Sequence, residues 1–188
     1  METEKKYKLT DEFITLGNRK LYRIEALKSF YNVKKGDKGG FIESEDNLSQ
    51  IGDCWIHNDA KVYGDANIFG NAKVKENAEV YGNANVRGNV LIYGKAKIYG
   101  DAKVFGEAEV KSNATISSNS DYIVFNNCWS SGRYFTWTRS NNMWKVGCFY
   151  GTGEELIEKA YKDSELSGRE YKKVVKYVES ILKDSKHS

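Results

Sequence analysis

Alanine returns every sixth residue through the middle of this chain. It stands at Ala60, Ala66, Ala72, Ala78 and Ala84, then at Ala96, Ala102, Ala108 and Ala114, with Cys54 opening the series and Val90 filling the gap. Two residues after each comes Val or Ile, from Ile56 and Val62 through to Val110 and Ile116. Two further on Gly dominates (Gly64, Gly70, Gly82, Gly88, Gly94, Gly100, Gly106), usually followed by Asp or Asn. The unit is A-x-[VI]-x-G-[DN], and it runs from 54 to 117 without an insertion. A helix cannot use this period, because six residues at ~100° each advance the face by roughly 240°, so successive alanines point in different directions. A strand can: Ala and Val/Ile alternate with polar or aromatic residues, and Gly-Asp or Gly-Asn supplies a corner. Short strands joined by tight corners in one register stack into a parallel β-helix, with Ala pointing into a narrow tube. The chain has 17 Gly and no Pro, which suits uninterrupted hydrogen-bonded ladders.

The pairs Val62/Ala66, Ile68/Ala72 and Val80/Ala84 place a small residue four positions after an aliphatic one. In this the array resembles the hexapeptide-repeat proteins. That resemblance implies a left-handed parallel β-helix, a triangular section with three hexads per coil, and a homotrimer. The stretch "LYRIEALKSFYNVKKGDKGGFIESEDNLS…GDCWI", with "VGCFYGTGEELIEKAYKD" further on, resembles a group of such proteins in phages and prophages that are labelled transferases or polymer-forming proteins. Three hexads per coil sort the outward residues into columns: Tyr63, Tyr81 and Tyr99; Phe69, Arg87 and Phe105; Lys75, Tyr93 and Lys111. Such a column either packs on itself or forms a subunit interface.

The flanks read differently. Residues 1–50 form an N-terminal β cap leading into the first coil, with a hairpin turning at Gly17-Asn18; residues 51–117 are the β-helix. Residues 118–188 form a small α+β domain, in which "SSNSD" reads as a linker, "YIVFNNCWSSGRYFTWTRSNNMWKVGCFY" as three strands, and two helices follow over about 154–163 and 168–184. Tyr171, Val174, Val175, Val178 and Leu182 give the second helix one apolar face.

The 29 basic and 26 acidic residues leave a net charge of +3, which gives no expectation of binding long nucleic acid. Cys54, Cys128 and Cys148 form no CxxC, and only His57 and His187 accompany them, so no metal site and no cofactor are read. No apolar run suggests a membrane span and no cleavage signal is seen. The expectation is a cytoplasmic protein with reduced thiols, in a host cytoplasm if phage-encoded.

For chemistry, two places stand out. Hexapeptide-repeat enzymes mostly transfer acyl groups with a histidine as base, and His57, with Asp53 and Asp59 near in sequence, is the one candidate in the array. The array lacks the interrupting loop that such enzymes often use to build a pocket. In the C-terminal domain Arg133, Phe135, Trp137 and Arg139 alternate onto one strand face, with Lys145 on the neighbouring strand. Rings for stacking flanked by cations suit a flat anion such as a nucleotide. The same residues equally describe a small sheet packing its aromatics on two helices. The expected function is a non-enzymatic homotrimer that binds a small anionic ligand at Arg133, Phe135, Trp137, Arg139 and Lys145. The alternatives are a structural or protein-binding trimer and an acyltransferase.

Overall fold

A computed structural model describes residues 4–184. These divide into two compact units, one of residues 4–122 with Arg139–Asn141, the other of Ile123–Thr138 with residues 142–184.

The first unit begins with an antiparallel hairpin, β1 (Tyr7–Leu16) and β2 (Arg19–Ala26), closed by the two-residue turn at Gly17-Asn18. Strand β3 (Lys38–Ile42) pairs with β2 and then starts the parallel stack. Eleven two-residue strands follow: β4 (Trp55–Ile56), β5 (Lys61–Val62), β6 (Asn67–Ile68), β7 (Lys73–Val74), β8 (Glu79–Val80), β9 (Asn85–Val86), β10 (Leu91–Ile92), β11 (Lys97–Ile98), β12 (Lys103–Val104), β13 (Glu109–Val110) and β14 (Thr115–Ile116). They stack on three faces, in the orders β3-β5-β8-β11-β14, β4-β7-β10-β13 and β6-β9-β12. The result is a parallel β-helix of about 4 turns. Every hexad Ala from Ala60 to Ala114 is at most 1% exposed, as are the Val and Ile two residues on. The coils are tied by backbone bonds such as Lys61 N to Ala78 O (3.0 Å) and Glu79 N to Ala96 O (2.9 Å). Corner glycine is required where coils touch: at Gly88 φ is +87°, and a Cβ there would lie 2.9 Å from the carbonyl oxygen of Gly106.

Both ends of the array use one device. In the first coil, where Phe41 pairs with Lys61, a 3₁₀ turn at Glu45–Asn47 is inserted. Asn47 is fully buried and satisfies four backbone groups, accepting from the Glu43 and Ser44 amides and donating to the Gly64 and Ala66 carbonyls. At the far end "SSNSD", expected as a linker, forms a second 3₁₀ turn, Asn119–Asp121. There the Asp121 carboxylate accepts from the Ser117 and Ser118 amides. Burial by itself would raise its pKa, but the hydrogen bonds from the two serines together outweigh that and hold it below the ordinary carboxylate value. Lys6, 1% exposed, lies over the tube's first residue, its ammonium donating to the carbonyls of Gly52 and Cys54.

In the second unit Thr152 caps helix α1 (Gly153–Asp163) in a reciprocal box with Glu155. Helix α2 (Glu165–Asp184) follows almost directly. Its expected apolar face is real: Tyr171, Val175 and Val178 are buried, with Val174 and Leu182 packed beside them. The helices close together at Gly168, where a Cβ would lie 2.2 Å from the Tyr161 ring. The sheet has four strands, β15 (Tyr122–Asn127), β16 (Arg133–Thr138), β17 (Met143–Val146) and β18 (Phe149–Gly151), rather than the expected three. The segment read as one last strand is folded back at Gly147-Cys148, with Gly147 at φ +53°. No helix among the described residues is long and apolar enough to cross a membrane.

Candidate functional site

The face of β16 that carries Phe135 and Trp137 is a core face. The two rings are 0% and 1% exposed. Phe135 meets Tyr171 edge-on at 4.6 Å, and Trp137 Nε1 donates to Asn142 Oδ1 at 2.9 Å. Helices α1 and α2 contribute Leu156, Ala160, Tyr171, Val175 and Val178 to the same cluster. The rings expected to form a stacking platform are instead packed in the core, although Trp137 also lines a cavity of about 310 Å³ with Asn142, Trp144, Thr152, Glu179 and Leu182.

The basic residues do not converge either. Phe135 pairs with Val146 and Trp137 with Trp144, whereas Lys145 pairs with Thr136. Directly opposed residues point to the same side, so Lys145 lies on the other face of the sheet from Trp137. Its ammonium meets the Gly147 carbonyl. Arg133 is exposed at the start of β16 and packs along Gly147, beside a cavity of about 260 Å³ that Cys148, Lys159 and Asp163 also line. Arg139 sits in the β16–β17 turn, held by Nε to the Ser120 carbonyl at 3.1 Å and by its amide to the Asp121 carbonyl at 2.8 Å. Alternation gives the side on which a residue lies, but not which side the helices cover.

His57 stands below Lys75 in its outward column, its amide donating to Val74 O. Its Nε2 is buried and has no partner among the described residues. Neither nearby carboxylate orients the ring: Asp59 faces Arg23 at 3.5 Å, and Asp53 uses its backbone carbonyl to bind Lys73. Burial first, then Lys75 and Lys73, push the imidazole pKa down to about 4, with Asp37 opposing. The ring is neutral at pH 7, no carboxylate among the described residues is hydrogen-bonded to it, and the weak pull of Asp37 is outweighed by burial and the two lysines. Because the folded state resists the proton, stability falls as pH drops from 6.5 toward 4, where the unfolded chain takes up a proton that the fold refuses. Solvent screening of a partly exposed ring reduces the effect to about 1–2 kcal/mol. Urea unfolding at pH 7 and pH 4.5 is expected to show a smaller acid loss in His57→Gln than in the wild type; equal losses would mean that the ring protonates freely.

A basic cavity lies on the same flank. β7 is the one unit in which Lys occupies both outward positions around the buried aliphatic residue, Lys73-Val74-Lys75. A cavity of about 370 Å³ is lined by both lysines, Asp53, Asn71, Asn89 and Tyr31. Tyr31 comes from the loop between β2 and β3, is 78% exposed and has φ +44°. Its ring centroid is 4.8 Å from the Lys73 ammonium. Burial lowers the Lys73 pKa, with Asp53 opposing and Lys6 and Lys75 adding to the fall. The Lys75 backbone is laddered to Ile92, but its ammonium has no hydrogen-bond or ion-pair partner among the described residues. Sequence reading placed Lys75 in a column but missed Lys73 and Tyr31; the paired lysines were the available signal.

Among the described residues no group of three or more His, Cys, Asp or Glu could hold a metal ion, and His187 lies outside them. Cys54 is buried, Cys128 and Cys148 are exposed, and all three are free thiols. No protein-family model matches the chain, and no curated protein matches it.

Proposed function

We propose that this chain is a hexapeptide-repeat protein of phage or prophage type, wound left-handed, that acts as a non-enzymatic homotrimer and binds a small anionic, nucleotide-like molecule. The observation that carries the reading is the tyrosine column. Tyr63, Tyr81 and Tyr99 stack in parallel, with ring centroids 5.0 and 5.2 Å apart and interplanar angles of 1° and 8°. All three remain only partly covered on the outer face of β5, β8 and β11. Side chains already held by stacking lose little rotamer freedom when a partner covers them, so the ladder is an efficient contact surface. Burial and Glu79 push the Tyr63 phenol up to about 12, so it brings no charge to an interface.

Light scattering at micromolar concentration is expected to report three copies, and replacing Tyr63, Tyr81 and Tyr99 with Ser should lower the mass. A wild-type monomer would end the trimer reading. Thiol release from acetyl-coenzyme A with amine and hydroxyl acceptors is expected to stay at background; turnover lost in His57→Ala would make the protein an acyltransferase. A second reading, a structural or protein-binding trimer, is favoured by Trp129, 74% exposed between β15 and β16. It predicts that no small anion binds.

A further inference from the structure

The geometry points to a nucleotide site on the β-helix flank, with a base on Tyr31 and a phosphate on Lys73 and Lys75. This rests on the reading above that the protein binds a small anion, and it moves the site from the C-terminal sheet to the β-helix.

Four features of the cavity argue for it. Its volume of about 370 Å³ falls within the range of small-molecule pockets. The two lysines are two positions apart, Lys73 in β7 and Lys75 directly after it; β7 is laddered to β4 and β10 on either side, and the Lys75 amide continues the ladder to Ile92 O. Their stems leave a fixed backbone ~6–7 Å apart, a span that a phosphate can bridge. The Lys75 ammonium is unpaired among the described residues, and Lys73 spends one donor on the Asp53 carbonyl, leaving two for a ligand. An anion between the two cations would also relieve their mutual repulsion.

The wall opposite the lysines is not that of a bare phosphate site. Tyr31 holds a bulky ring in the left-handed region, a strained conformation for a non-glycine residue, and the ring stays in solvent rather than in the core. One face of the ring carries the Lys73 ammonium, and the other is left as a stacking surface. Asn71 donates to Asn89, which donates on to Glu107, so the Asn71 Oδ1 is left as an acceptor. Asp53 adds a carboxylate that accepts no hydrogen bond among the described residues. A carboxylate repels a bare anion but accepts from hydroxyl or amino groups. The ligand that fits the whole wall carries phosphate, hydrogen-bond donors and a flat ring, which is the chemistry of a nucleotide.

The test is isothermal titration of the full chain with nucleoside monophosphates, diphosphates and cyclic monophosphates, with inorganic phosphate and unphosphorylated nucleosides as separate arms. At least one nucleotide should bind saturably, and both partial ligands should bind at least ~10-fold more weakly. Lys75→Gln and Tyr31→Ser should each weaken that nucleotide ~10-fold or more, with Lys75→Arg nearer the wild type. Both side chains lie outside the core, so both variants should melt with the wild type. Binding of inorganic phosphate as tight as that of any nucleotide would overturn the role of Tyr31. A nucleotide that binds the wild type and both variants equally would overturn this site while leaving anion binding intact. No binding by any arm would overturn the site and the anion-binding function together.

Discussion

Leucine in place of Ala84 is expected to lower stability by about 3 kcal/mol or more, whereas leucine in place of the adjacent Asn85 should change it by less than about 0.5 kcal/mol. Ala84 is 0% exposed and faces the interior of the tube. The coil cannot widen locally, because the Ala84 carbonyl accepts from the Asn67 amide at 2.9 Å while the Asn85 amide donates to Ala102 at 2.9 Å. Three extra carbons must therefore force a neighbouring side chain off its rotamer or break the ladder between coils. Asn85 is partly exposed on the outer face of β9, where a larger side chain meets solvent. Urea unfolding followed by circular dichroism measures both variants. Equal losses would mean that the inward and outward positions of the hexad are assigned wrongly.

The hexad made the β-helix legible because one small residue type, repeated at one position, has a single geometric use. What lies at the ends of the array was less legible. Asn47 and Asp121 satisfy corner backbone groups through non-repeating contacts, and "ESEDN" and "SSNSD" share little but a serine in second place. The apolar face of α2 could be read from Tyr171, Val175 and Val178, since helical spacing marks the buried side directly. The sheet beside it could not be read so far. Period two separates Phe135 and Trp137 from Thr136 and Thr138, yet all four are buried, and the residues of one strand do not state what covers each side. The turn at Gly147 interrupts the alternation as well, so that Val146 pairs with Phe149 and Lys145 with Tyr150. For the basic cavity, Lys73 and Lys75 stood in plain view within one hexad. Tyr31 comes from a loop with no periodicity, and only the fold brings it to that flank.

Trp137→Ala is expected to cost about 3–5 kcal/mol, the range for deleting a large buried aromatic side chain. Trp137 is 1% exposed, lies across the sheet from Trp144, and belongs to the cluster that includes Leu156, Val175 and Val178. Its removal opens a cavity beneath α2 and also strips Asn142 Oδ1 of its indole donor. Trp137→Phe keeps most of the volume and loses the hydrogen bond, so it should fall well short of the alanine variant. Hydrogen exchange can localise the damage. The amides of β16, β17 and α2 should lose protection, while the Ala-to-coil bonds of the β-helix, such as Lys61 N to Ala78 O, should keep theirs. The outcome separates the two uses that a sheet of aromatics and arginines can have. A tryptophan kept for stacking on a ligand can be removed with little effect on the free protein, and nucleotide binding would then vanish from an otherwise normal chain. A tryptophan that holds a sheet against two helices cannot. Unchanged ligand-free stability in Trp137→Ala, with loss of nucleotide binding, would return the site to the C-terminal sheet and leave Lys73, Lys75 and Tyr31 as surface.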